Sequence, residues 1–186
     1  MTVVSSNYAR KENDLYQTEP WATEALIRNF PISGLTVLEP AAGNHMMSDV
    51  LKEAGAHVYT GDIKEYDRKH DFLIDFLQFG LGSVDAIITN PPYGKQNRLA
   101  VKFAEHALRS TDGMVAMLLT AKFDFGNTRT HLFRDNPRFV AKINLIDRIS
   151  WEGNGETGTE DHAWYVWGRK PVLPARPVIL YAGRDA

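Results

Sequence analysis

Residues 84–94 read VDAIITNPPYG. Val84–Thr89 is a short, apolar run of strand character, and Asn90-Pro91-Pro92-Tyr93 stops it at once. Neither proline donates to a sheet ladder, and each fixes its own φ. A strand that is apolar on both faces is covered on both faces, which is the habit of parallel sheets flanked by helices. The chain to either side repeats the pattern.

Upstream, LTVLEP (35–40) is another short buried strand, ended by the small, flexible Ala41-Ala42-Gly43. A helix is predicted over Met46–Ala54 with Met47, Val50 and Leu51 inward, then a strand over Ala56–Asp62 and the run DFLIDFL over Asp71–Leu77. Thr18-Glu19-Pro20-Trp21 reads as a helix start, with Thr18 as N-cap and Pro20 in the first turn. Trp21, Ala22, Ala25, Leu26 and Phe30 form its apolar stripe, and Pro31 stops it. Downstream, Leu99, Phe103, Ala107 and Leu108 lie at helical spacing, and Asp112-Gly113 turns the chain into MVAMLLT (114–120). Strand-like runs follow at Lys142–Ile146, Ala163–Trp167 and VILYA (178–182). Strands alternating with helices predict an α/β domain. No internal repeat or dividing linker is present, so residues 1–186 read as one domain, with 1–13 polar and frayed.

Composition narrows the field. The chain has 186 residues, 44% hydrophobic and 24% charged, and no cysteine. Disulfides, thiolate zinc sites and a cysteine nucleophile are excluded. No stretch approaches the roughly 18 apolar residues of a membrane span, and the opening MTVVSS lacks the apolar core of a signal peptide, so a cytoplasmic protein without membrane or metal is expected. The formal net charge of −2 conceals a division. Residues 1–93 carry 7 basic against 13 acidic side chains, whereas 94–148 carry 10 against 5. A basic middle is a surface that can face phosphates.

In sheets of this kind ligands bind beyond the carboxyl ends of the strands. Glu39 stands at the first such end, beside a backbone of small residues that a ligand can approach closely. Only Gly43 is a glycine in that turn, so it is not a pyrophosphate loop. Asp62 ends the next strand, where an acid can hold a ribose diol. Asp75-Phe76 offers a carboxylate and a ring to a nucleobase. Together these describe a place for an adenosine without phosphates. The last end is the most specific. Two prolines hold Asn90 and Tyr93 on one rim, where the Asn90 amide oxygen and the Pro91 carbonyl make two acceptors for the two hydrogens of a planar amino group. Tyr93 supplies a stacking face for the ring that bears it.

These motifs resemble the class I S-adenosylmethionine-dependent methyltransferases, and among them the amino-methylating DNA adenine enzymes of small phage and prophage type. The resemblance covers roughly Asp14 to Gly168. NPPY (90–93) is similar to their catalytic motif, which implies catalytic roles for Asn90, Pro91, Pro92 and Tyr93. EPAAG (39–43) is similar to their cofactor loop, implying Glu39, Pro40, Ala41 and Gly43 as cofactor contacts. Asp62 with Ile63, Asp75-Phe76, Asn90 and Phe103 match further cofactor positions. LYQTEPWA (15–22) resembles the segment at the cofactor's methionine end and implies Gln17, Thr18 and Pro20. HAWYVWG (162–168) resembles the subgroup's last hairpin. The implied fold is Rossmann-like, a mostly parallel sheet of about seven strands with helices on both faces and an antiparallel C-terminal hairpin. One position departs: His45 stands where the family often has a second loop glycine, which implies a bulkier loop with lower cofactor affinity or a different local path.

The expected reaction is transfer of a methyl group to the exocyclic amine of adenine in DNA, after the base is flipped from the stack. Accepting both amine hydrogens favours a pyramidal nitrogen with a localised lone pair, a gain that grows towards the transition state. Lys95, Arg98, Lys122, Arg129, Arg134 and Arg138 are the candidate phosphate contacts. Segment 122–138 mixes basic and aromatic residues and reads either as a target contact or as a connection with Phe123, Phe125 and Phe133 in the core. Loop 152–162, rich in glycine, is the second candidate substrate loop. Trp164 and Trp167 read as sheet-face residues, and His45 and His162 as structural or rim residues. The same motif serves other acceptors, namely cytosine's exocyclic amine, an RNA guanine amine or a glutamine amide, and a cofactor-binding module with weak or partner-dependent activity is the remaining alternative. Little chain is left over for a separate recognition domain, so a short recognition sequence is expected, or reliance on a homodimer or partner. Mapping methylated positions checks this: the expected target is shorter than six base pairs, and a single longer site read by purified monomer contradicts it.

Overall fold

The computed structural model describes residues 16–80, 84–170 and 176–185; residues 1–13, read above as frayed, lie outside them. Eight strands form one sheet among the described residues, in the order β3-β2-β1-β4-β5-β7-β6-β8. They are β1 (Thr36–Glu39), β2 (His57–Asp62), β3 (Phe72–Leu73), β4 (Ala86–Thr89), β5 (Met114–Thr120), β6 (Phe139–Leu145), β7 (His162–Trp167) and β8 (Val178–Ala182). From β3 to β5 every pairing is parallel. Strand β7 runs antiparallel between β5 and β6, and β8 adds to β6 in parallel. This agrees with the expected, mostly parallel sheet of about seven strands, with VILYA as its outer strand β8.

The parallel arrangement decides where chemistry can sit. Glu39, Asp62 and Thr89 all end strands on one edge of the sheet, and His162 begins β7 there, paired in register with Thr120 at the end of β5. Helices α1 (Pro20–Asn29) and α2 (Met46–Glu53) cover one face, where Trp21, Leu26, Met47 and Leu51 cluster with Val37, Ile88, Leu118 and Trp164. Helix α3 (Arg98–Ser110) and the turns of 121–133 cover the other, packing Phe103, Ala104, Phe123 and Phe133 with Ile87, Met117, Tyr165 and Trp167. The indole N–H groups of Trp164 and Trp167 find main-chain acceptors: Trp164 donates to Ala22 O and Trp167 to Leu132 O, each at 2.6 Å. Gly113 permits the close entry into β5, since a Cβ there would lie 2.1 Å from Asp85 O.

Three expectations need correction. The residue before α1 is Glu19, not Thr18; Pro20 occupies the first turn, and the Glu19 carboxylate accepts from Trp21 Nε1 (3.0 Å), Ser150 N (2.7 Å) and Arg184. Phe123 and Phe133 enter the core, but Phe125 is 68% exposed. Arg138 is no phosphate contact. It is buried, and its guanidinium donates to Gly168 O (3.0 Å), Leu108 O (2.9 Å), Thr111 O (3.0 Å) and Gly113 O. It thus ties the end of α3, the turn into β5 and the end of β7 together. Replacing Arg138 by Met strands these carbonyls and is expected to cost about 3 kcal/mol, read as a lowered midpoint in chemical denaturation.

Candidate active site

Two cavities open along the carboxyl edge of the sheet. The first, of about 390 Å³, is walled by Glu39, Pro40, Ala41, Ala42, Gly43, Asp62, Ile63, Asp75, Phe76 and Phe103, with Gln17, Thr18, Asn90 and Pro92 closing it. Of the residues implied for the cofactor, Pro20 alone does not line it: as the first residue of α1 it is exposed to solvent. The second cavity, of about 680 Å³, is lined by Asn90, Pro91, Tyr93, Lys122, Arg129, Trp151 and His162, with Phe125, Thr120 and residues of loop 152–160. Asn90 and Tyr16 line both.

The loop from β1 to α2 explains the open first cavity. Gly43 N donates to Asp62 Oδ2 (3.0 Å), and Ile63 N to Asp62 Oδ1 (2.8 Å), so the carboxylate is held at the end of β2 by the main chain around it. His45 caps α2 in the left-handed region, φ 68°, the conformation for which glycine is favoured. Its ring does not enter the cavity; Nε2 meets His70 Nδ1 at 3.0 Å. The bulkier residue therefore follows a glycine-like path and turns its side chain into the neighbouring loop. Burial and the nearby Arg68 and His70 push His45 down to about 4, so the pair is neutral on the His45 side at physiological pH. Phe76 and Phe103 sit 5.1 Å apart, an apolar wall beside Asp75. The Asp75 carboxylate also caps its own turn, accepting from Leu77 N at 3.0 Å.

At the tip of β4 the Asn90 amide nitrogen donates to Thr18 Oγ1 (3.2 Å) and Tyr16 O (3.4 Å). That assigns the amide's orientation and leaves Oδ1 as its acceptor. Tyr93 is anchored through its hydroxyl to Leu118 O (3.3 Å), and its ring lies near parallel to His162 at 6.4 Å. Trp151 meets His162 edge-on at 5.0 Å. His162 Nδ1 lies 3.1 Å from Glu160 O; a carbonyl only accepts, so Nδ1 carries the proton and Nε2 a lone pair. Burial lowers His162 to about 4 and keeps the ring neutral.

Among the residues assigned to phosphates, Lys122 and Arg129 reach the second cavity. Lys95 and Arg98 are exposed just beyond Gly94 and do not line it. Arg134 is exposed and paired with Asp135 at 2.7 Å. Tyr16, Met47, Tyr66, Leu77 and Leu99 in the first cavity, and Asn97, Thr120, Phe125 and Trp151 in the second, were not expected as site residues from sequence. Trp151 carried a signal, as an aromatic directly preceding the glycine-rich loop. Phe125 lies in segment 122–138, one of whose two readings is a target contact, and the remaining residues are contributed by packing and carried no signal.

No known protein family and no curated protein matches this sequence. Solved structures do share its fold. A modification subunit assigned to a type I restriction enzyme of Vibrio vulnificus superposes with a TM-score of 0.66 at 14% identity, over 85% of this chain and 45% of that one. A protein of Pyrococcus horikoshii assigned as an RNA methyltransferase gives 0.61 at 18% identity, over 82% of each. A Listeria monocytogenes protein assigned as a class I S-adenosylmethionine-dependent methyltransferase gives 0.59 at 14%, over 90% of this chain and 63% of that one. The chain thus spans less than half of the restriction-system subunit it resembles. Its fold is the Rossmann-like fold of the class I methyltransferases. Among the described residues no helix is long and apolar enough to cross a membrane, and no cluster of three or more metal-ligating His, Cys, Asp or Glu side chains occurs.

Glu39 carries the site's most displaced acidity. It is 2% exposed, and burial, aided by the Asp62 charge, pushes it up to about 8, although Ser48 donates to it. In the unfolded chain it ionises near 4.5. The folded state therefore holds an extra proton between these values, and the stability this contributes is lost as pH rises through about 8. Thermal midpoints measured at pH 6.5 and 9 are expected to fall more for the wild type than for Glu39→Gln, which stays neutral at both.

Proposed function

We propose that this protein transfers the methyl group of S-adenosylmethionine to the exocyclic amine of adenine in DNA. The observation that carries the reading is the meeting of two cavities at a wall shared by Asn90 and Tyr16. Asn90 lines both, so a donor in the first and an acceptor in the second would share that wall. The first cavity fits the donor's parts: Asp62 for a ribose diol, Phe76 and Phe103 for an adenine, and a neutral, buried Glu39 that a cationic ligand would ionise. Bound there, S-adenosylmethionine supplies an activated methyl group on a sulfonium centre.

The chain's own work is positioning and polarisation. Asn90 Oδ1 and the Pro91 carbonyl accept the two amine hydrogens, and Tyr93, held by Leu118 O, stacks on the ring. Accepting both hydrogens localises the nitrogen lone pair and lowers the barrier to in-line attack. The second cavity favours a nucleobase over a glutamine side chain, because aromatic rings (Tyr93, Trp151, His162) wall a space far larger than an amide needs. Lys122 and Arg129 at its margin suit a phosphate backbone, with Lys95, Arg98 and Arg134 on the surface beyond. A base in a duplex reaches this space only when flipped out.

The test is incubation of the purified protein with methyl-labelled cofactor and DNA, RNA or protein, followed by identification of the modified nucleoside or residue. N6-methyladenine is expected in DNA, and label found in glutamine, RNA guanine or cytosine transfers the reading to that acceptor. Asn90→Ala is expected to lower kcat by about 100-fold or more, and undiminished turnover in that variant contradicts the role assigned to its amide.

A further inference from the structure

Phe125 is the large apolar side chain that the fold leaves uncovered at the mouth of the second cavity. It is 68% exposed and lines that cavity together with Lys122 and Arg129. Full burial of such a ring is worth about 1.5–3 kcal/mol, and its neighbours Phe123 and Phe133 are buried. Phe125 could not simply be folded away, because the turn beneath it is fastened in place. Phe123 N donates to Thr120 O (2.9 Å) and Phe125 N to Lys122 O (3.1 Å). Lys142, reaching from β6, donates to Ala121 O (2.8 Å) and to both Asp124 oxygens (3.0 and 3.1 Å). The Tyr165 hydroxyl, from the paired position on β7, lies 3.1 Å from Asp124 Oδ1. Arg129 closes the other side, donating to Phe123 O at 2.6 Å with its guanidinium over the Phe123 ring. The ammonium of Lys142 also lies 5.5 Å from the centre of the Phe125 ring, backing it with a cation.

A ring held out on a braced turn, flanked by cations and beside a cavity sized for a base, is matched to a stack of bases. We propose that Phe125 is a wedge: it packs against the base pair next to the vacated position and offsets the pairing and stacking lost when the target base leaves the duplex. This rests on the duplex-DNA reading above. The wedge acts only where extrusion is costly, and that separates it from a general contact. A base opposite an abasic site has no partner to lose, so it needs little help to leave.

The experiment compares wild type, Phe125→Ala and Phe125→Trp on two duplexes of identical sequence, one fully paired and one with an abasic site opposite the target adenine. Phe125→Ala is expected to lower kcat/KM on the paired duplex by about tenfold or more and on the abasic duplex by less than about twofold, with cofactor Kd unchanged in both. Phe125→Trp is expected to retain activity on the paired duplex. Equal losses on the two duplexes, or no loss on either, overturn the wedge while leaving the methyl-transfer reading intact. Failure of the wild type to methylate any duplex overturns both.

Discussion

The hydrogen bonds from the Asn90 amide to Thr18 Oγ1 and Tyr16 O join the tip of β4 to the segment before α1. Much of the site follows from that junction. It assigns the amide nitrogen to the protein and the oxygen to whatever enters. It also brings Tyr16 and Asn90 together as the shared wall of the two cavities. The segment is held in turn by Glu19, whose carboxylate receives Trp21 Nε1, Ser150 N and the Arg184 guanidinium. Burial alone would raise the Glu19 pKa, but these donors outweigh it and hold the carboxylate below its usual range. One end of the described chain is thereby pinned to the other, and both support a single side chain at the sheet's edge.

Polar groups in the interior serve the same end. Arg138 gathers carbonyls from α3, the β5 turn and the end of β7, and Lys142 braces the turn that leaves β5. Burying a cation is costly unless its hydrogen bonds are satisfied, so each such group holds its surroundings in one arrangement. Glu39 is the opposite case, a carboxyl kept neutral by burial in a cleft of small residues and rings.

The strands and their ends were legible from sequence because they are punctuated. Apolar runs stop at Pro40, Asp62 and Asn90-Pro91-Pro92, and these stops fall on one edge once the sheet is parallel. Side chains that reach a cavity by packing were not legible. Phe123, Phe125 and Phe133 look alike in a row of residues, yet two are buried and one is exposed, because the braced turn after β5 presents alternate sides to the core. Arg138 sits in a run of cations that reads as a set of phosphate contacts, and only the convergence of distant carbonyls shows it to be structural. His45 takes a left-handed conformation that favours glycine yet keeps its ring out of the first cavity, which depends on His70, 25 positions away, receiving that ring.

By itself, then, the sequence determined the alternation of elements, the direction of the sheet and the chemical kinds of group at its carboxyl edge, since periodicity, proline and glycine act locally. The tertiary structure decided which of those groups face a common space, how the Asn90 amide is turned, and that Trp151 and Phe125 join a site assembled from β4, β5 and the approach to β7. The physical reason is that cavities and hydrogen-bond orientation arise between elements far apart in the chain, and no local pattern encodes the distance between them.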